Sequence, residues 1–121
     1  MDNCIFCKIA NKEINSKIIY EDDKVMAFLD VNPNSDGHTL IVPKKHIKDI
    51  DDIDEDTYLH IFNIAKKIKK QLIEKLNCDG IKLVQNNGDC QEVKHYHLHL
   101  IPYYNKQNKS NIDEIYEKIM Q

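Results

Sequence analysis

The sequence predicts an α+β fold, and three observations carry that reading. Five short runs, 17–20, 24–30, 38–42, 80–85 and 95–101, are rich in β-branched, aromatic or alternating residues and are bounded by turn formers. One long run, 54–76, has apolar residues at three- and four-residue spacing, the mark of an amphipathic helix. At 121 residues the chain is read as a single domain, 1–121, long enough to bury a core and too short for two.

The first two strands meet at Glu21-Asp22-Asp23, which reads as a hairpin. Asn32-Pro33-Asn34-Ser35-Asp36-Gly37 then collects turn formers ahead of the third strand, which ends at Pro43-Lys44-Lys45-His46. In the long helix Asp54 is placed to cap the first turn, and Glu55 and Asp56 sit where the helix dipole favours anions. Ile61, Ala65, Ile68, Leu72 and Leu76 form the stripe expected to face a core. Lys66, Lys67, Lys69 and Lys70 are read as a solvated face, and His60 as a surface or edge residue. Asn77 to Gly80 supplies the stop. The tail 111–120 reads as a short amphipathic helix with Ile112, Ile115, Tyr116 and Ile119 on one side.

A formal charge of −3 argues against a nucleic acid polymer as the main partner, because such proteins carry a basic excess. All 17 positive residues are Lys; the chain has no Arg. No apolar run approaches membrane-spanning length, and Met1-Asp2-Asn3-Cys4 lacks the basic-then-apolar pattern of a signal peptide. The protein is therefore expected to be cytoplasmic, with a nuclear location left open and no membrane partner. In that reducing setting four cysteines are thiols or metal ligands rather than disulfides.

The chemistry concentrates in 95–101. His95, His97 and His99 alternate with Tyr96, Leu98 and Leu100. On a strand the three imidazoles share one face at spacings of roughly 6.6 Å, and the apolar partners pack on a core from the other. A row of groups that titrate near neutrality suggests nucleophilic, acid–base or metal chemistry. Cys4 and Cys7 form a C-x-x-C pair able to clasp a metal, or equally two thiols on a frayed terminus. The polar loop 86–93 before the triad is either an anion-binding loop of backbone N–H groups or an ordinary hairpin turn.

His-x-His-x-His with large apolar residues between resembles the signature of the histidine-triad family of nucleotide hydrolases and transferases. Further matches lie upstream: Asp30 at a strand end, the loop to Gly37, His38 entering the next strand, Pro43 to His46, and Asn86-x-Gly88 followed by Gln91-x-Val93. The resemblance runs from Cys4 to about Pro102 and is nearest the family's Hint branch. This chain departs from it in a shortened loop, with Cys90 where members carry Gly, and in Tyr103 where many have Arg.

The resemblance implies a five-stranded, mainly antiparallel sheet with one long helix and short terminal helices, paired into a homodimer. It implies hydrolysis of purine nucleoside phosphoramidates through a covalent nucleotidyl intermediate on His97, with His99 and His38 contacting the phosphate and leaving group. Asp30 would hold the ribose, with Val31, Phe6, Ile14 and Phe28 around the base. Asn86 would lie near the sugar and phosphate, and Gln91, Glu92 and Val93 on the phosphate side. It also implies a structural zinc on Cys4, Cys7, His46 and His95, with no organic cofactor. Two alternatives stand beside this reading: dinucleoside polyphosphate hydrolysis, as in the Fhit branch, and a nucleotide-binding interaction protein with vestigial activity. His99 stands against the galactose-type transferases, which have Gln there.

Overall fold

The computed structural model describes residues 3–106 and 109–121. Met1 and Asp2, read above as part of the N-terminal pattern, lie outside the described residues. In chain order the elements are α1 (Ile5–Ala10), β1 (Ile18–Glu21), β2 (Val25–Leu29), β3 (Thr39–Pro43), α2 (Glu55–Leu76), β4 (Gly80–Gln85), β5 (Leu98–Tyr103) and α3 (Ile112–Met120). The strands form one sheet in the order β1-β2-β3-β5-β4, and every neighbouring pair is antiparallel. The expected α+β architecture is thus present, with β5 inserted between β3 and β4. Among the described residues no helix is long and apolar enough to cross a membrane.

Local signals account for the boundaries. Asp54 caps α2 by accepting the Thr57 amide at 3.1 Å, and Asn77 ends the helix in the left-handed conformation at φ 53°. In the first hairpin Asp22 Oδ1 accepts the amides of Lys24 and Val25 at 2.8 and 2.9 Å, an arrangement that holds the turn with one side chain. Gly37 has φ +89°, and a Cβ there would stand 2.5 Å from Leu76 Cδ1. Only glycine lets the loop pass this close to α2 before entering β3.

The period of two sorts the sheet into unlike faces. On one, Ala27, Ile41, Leu98 and Leu100 pack with Ile61, Ile64, Ile68 and Leu72 of α2 and Ile115 and Ile119 of α3 in the main core. Ile61 and Leu72 are fully buried, each worth about 1.5–3 kcal/mol of transfer free energy. On the other face a smaller cluster joins Phe6 and Ile9 of α1 to Met26, Phe28, Leu40 and Val42. Phe28, Leu40, His99 and Val84 are successive cross-strand partners, so His99 continues this second face.

One expectation needs correction. The triad segment was read as a strand from His95, but β5 begins at Leu98. The ladder with β3 ends at the Ile41–Leu98 pair, and the residues before it bond elsewhere. Pro43 has no N–H to offer, and its carbonyl is taken by the side chain of His95 at 2.7 Å. The Tyr96 amide donates to Ile47 O at 2.6 Å instead. Side-chain alternation nevertheless persists: Tyr96 joins Leu98 and Leu100 in the main core.

Candidate active site and metal clasp

His97 is 4% exposed, and its Nδ1 lies 2.7 Å from the carbonyl of His95. A carbonyl only accepts, so Nδ1 carries the proton and Nε2 keeps a free lone pair. Burial holds the His97 pKa below the usual imidazole value, against a smaller upward pull from the His95 carbonyl, Asp30 and Glu92. The ring of Phe6 meets it edge-on, centroids 5.0 Å apart.

The same logic fixes the next two rings. The Asn34 amide donates to His38 Nδ1 at 3.1 Å, so the proton of neutral His38 is on Nε2. That nitrogen lies 2.9 Å from His99 Nδ1 and 3.7 Å from Asp30 Oδ2. His99 therefore accepts at Nδ1 and carries its own proton at Nε2. Burial lowers the pKa of His38, and burial followed by the charges of His97 and His38 brings that of His99 to about 4. Neutral His97 thus presents a lone pair and neutral His99 an N–H, with ring centroids 4.8 Å apart.

These groups open on a cleft of about 160 Å³ lined by Asn34, Val84, Asn86, Cys90, Glu92, His97, His99 and Ile101. Of the residues singled out in the sequence, His97, His99, Asn86 and Glu92 meet here, with His38 and Asp30 bonded behind them. Phe6 and Phe28 are buried with ring centroids 5.6 Å apart, and of the two Phe6 meets the His97 ring. Ile14 and Val31 lie on the open surface, Val31 at 75% exposure. Gln91 is buried and serves the loop itself, its amide donating to Lys48 O at 2.7 Å and its carbonyl accepting the Gly88 amide at 3.2 Å. Val93 packs on the smaller apolar cluster. Sequence reasoning missed Val84, Ile101, Cys90 and Asn34 as cleft walls. Asn34 fixes His38 through its backbone amide, which leaves no signature in residue type.

The second grouping joins Cys4, Cys7, His46 and His95, whose ligand atoms all lie within 4.8 Å of one another. Cys4 Sγ is 3.3 Å from His95 Nδ1, and Cys7 Sγ is 3.2 Å from His46 Nδ1 and 3.5 Å from His95 Nδ1. Around tetrahedral zinc, with bonds of about 2.3 Å to sulfur and about 2.0 Å to nitrogen, such atoms sit about 3.6 Å apart. The donor set fits. His95 is fully buried and its Nε2–H donates to Pro43 O, which turns the Nδ1 lone pair towards the thiols, the usual outer partner of a ligating histidine. Burial, then the bond and charge of Cys4, push the Cys7 thiol up to about 11. The alternative of two thiols on a frayed terminus does not describe this arrangement: Cys4 caps α1, and Phe6 and Ile9 anchor it.

Comparison with known proteins agrees with this geometry. The HIT domain pattern matches residues 11–106. A HIT-like protein of Methanocaldococcus jannaschii is 50% identical over 105 residues, 84% of this chain and 79% of that one. The adenosine 5'-monophosphoramidase of Saccharomyces cerevisiae is 42% identical over 101 residues, 82% of this chain and 61% of the yeast protein. Among solved structures, a zinc-bound histidine triad family protein from Mycobacterium smegmatis superposes with a TM-score of 0.91 at 29% identity, covering 98% of this chain and 91% of that one. Alternating histidines, their partners and these matches together make the chain a member of the HIT domain family.

Proposed function

We propose that this protein is a nucleotide hydrolase that cleaves the P–N bond of purine nucleoside phosphoramidates. The observation that carries the reading is the pairing of a free lone pair on His97 Nε2 with an N–H on His99, both at one cleft. His97 Nε2 attacks the α-phosphorus and the P–N bond breaks. The amine departs with the proton of His99 Nε2 while the His38 Nε2–H shifts across their 2.9 Å contact to His99 Nδ1, so the hydrogen-bonded pair is left one proton short. Water then attacks the nucleotidyl-His97, returns a proton to the pair and frees the mononucleotide. Asp30 holds the ribose hydroxyls with its free acceptor capacity, and Asn86 borders the sugar and phosphate. Phe6, Ile14, Phe28 and Val31 remain candidates for the base side. The yeast relative's activity supports the substrate class.

Zinc on Cys4, Cys7, His46 and His95 would be structural, a closed shell that ties α1 to the triad segment. Through the His95 carbonyl, the same residue that would hold the metal also fixes the tautomer of His97. The protein is further proposed to be cytoplasmic and to pair as a homodimer; β4 at the sheet edge, with Leu83 50% exposed, supports the pairing.

The test is kcat/KM for adenosine 5'-phosphoramidate beside diadenosine triphosphate. We expect the phosphoramidate to be cleaved much faster, since the chain has no Arg to clamp further phosphates bidentately. Preference for the triphosphate would move the protein to the dinucleotide branch, and AMP binding without turnover of either would make it a binding module.

A further inference from the structure

Of the eight residues lining the cleft, the only one that is an acid or a lysine is Glu92. Its side chain is exposed and has no hydrogen-bond or ion-pair partner among the described residues. The nearest lysine in sequence, Lys94, is engaged with Gly88 O. Val84 and Ile101 supply apolar surface in the same cleft. The cleft thus combines a hydrocarbon wall with an uncompensated carboxylate beside the nucleophile. A phosphate gains nothing from that carboxylate. A departing group made of methylenes ending in an ammonium satisfies both features, its stem on the apolar wall and its charge on the acid.

We propose, building on the phosphoramidase reading, that Glu92 is a specificity-determining residue that selects substrates whose leaving amine carries a second, positively charged nitrogen. Glu92 and His97 line the same cleft, which places the carboxylate within electrostatic reach of the reacting group. A carboxylate at neutral pH has no proton to give the amine, so its action is on recognition rather than proton transfer.

Three adenosine 5'-phosphoramidates test this, with leaving groups 1,3-diaminopropane, n-butylamine and 4-aminobutanoate: cationic, neutral and anionic chains of similar reach. For wild type we expect kcat/KM to favour the cationic over the neutral leaving group about five-fold, the scale of one exposed ion pair, with the anionic one slowest. Salt should compress the preference. In Glu92→Gln the cationic-to-neutral ratio should fall several-fold, and in Glu92→Lys the order of cationic and anionic substrates should invert. Comparing ratios between variants cancels intrinsic differences between the amines. A Glu92→Gln variant that slows all three equally would overturn the proposal by making the residue part of the chemistry. Equal ratios in wild type and Glu92→Gln would overturn it while leaving the phosphoramidase reading intact. Absence of turnover with all three would remove both.

Discussion

Two histidine–aspartate pairs stand among the described residues, and the fold uses their carboxylates to different extents. In the first, His60 Nε2 of α2 lies 2.7 Å from Asp22 Oδ2 in the β1–β2 hairpin. Asp22 is saturated: Tyr20 Oη donates to Oδ2 at 2.6 Å, and the amides of Lys24 and Val25 take Oδ1. In the second, His38 Nε2 is 3.7 Å from Asp30 Oδ2, and among the described residues the one other donor on that carboxylate is the Asn32 amide on Oδ1 at 2.9 Å. A carboxylate whose acceptor sites are all filled by the fold is structure. One with an oxygen left over beside a cleft is available to a ligand. Residue type is the same in both pairs, and what separates them is how much hydrogen-bonding capacity the backbone has already used.

The sharpest way to break this comparison is at the proposed nucleophile. His97→Ala should lower kcat by more than about 10³-fold, the scale expected when the attacking group itself is lost. AMP should still bind, because Asp30 and Asn86 remain. Acid-labile label from an α-labelled substrate should attach to wild type and be absent from the variant. Turnover near wild type in His97→Ala would refute the mechanism.

Next in size is the clasp. Purified protein should carry about one zinc per chain, and Cys4→Ser or Cys7→Ser should lower the melting temperature by several degrees, since metal binding is linked to folding. Metal analysis without zinc, together with unchanged melting of both variants, would return the two thiols to ordinary helix-capping and packing roles.

Asp22→Asn should cost about 2 kcal/mol in denaturant unfolding, the scale of losing charge-assisted bonds at a part-buried site, while kcat/KM changes less than about two-fold. Asp30→Asn should do the reverse, raising KM with little change in unfolding. If both substitutions destabilise equally and neither touches KM, the distinction between a filled and an open carboxylate fails.

Why Asp30 and His38 were singled out in the sequence while the Asp22–His60 pair was not follows from what is local along the chain. The Asp54 cap, the Asn77 stop and the α2 stripe are local, and local patterns read directly. The candidate triad was legible because three histidines in strict alternation have few other meanings. Asp22 and His60 are 38 residues apart, among 20 acidic residues any of which could have been the partner. The start of β5 was misplaced for a related reason: alternation continues through His95–His97, but pairing is ended by Pro43, which lies 52 residues from His95 and carries no N–H. The cleft walls Val84 and Ile101 read as ordinary strand residues, since only the sheet order sets β4 beside β5 on the histidine face.

A last test reads Asp22 of the first pair and His99, the ring hydrogen-bonded to His38 of the second, by pH. Asp22 titrates low in the fold: burial raises its pKa, but bonds from Tyr20, Val25, His60 and Lys24 outweigh that and hold it well below the usual carboxylate range. A depressed carboxylate contributes stability above its unfolded pKa near 3.9, which is lost as pH falls through the folded value, so this loss begins below about pH 4. His99 is also depressed, to about 4, by burial and by His97 and His38. Between pH 6.5 and about 4 the unfolded chain therefore binds a proton there that the folded chain refuses, and stability falls as pH falls through that window. One such proton gives a slope of at most about 1.4 kcal/mol per pH unit. Replacing His99 with Gln removes the titrating group but keeps a polar side chain, so the variant should show a shallower loss between pH 6.5 and 4 and an unchanged loss below it. Asp22→Asn should show the complementary pattern, with the upper window intact and the lower one flattened. Unfolding curves of wild type and both variants at half-unit steps from pH 7 to 3 would measure this, and a His99→Gln slope equal to wild type above pH 4 would mean that His99 titrates as an ordinary exposed imidazole.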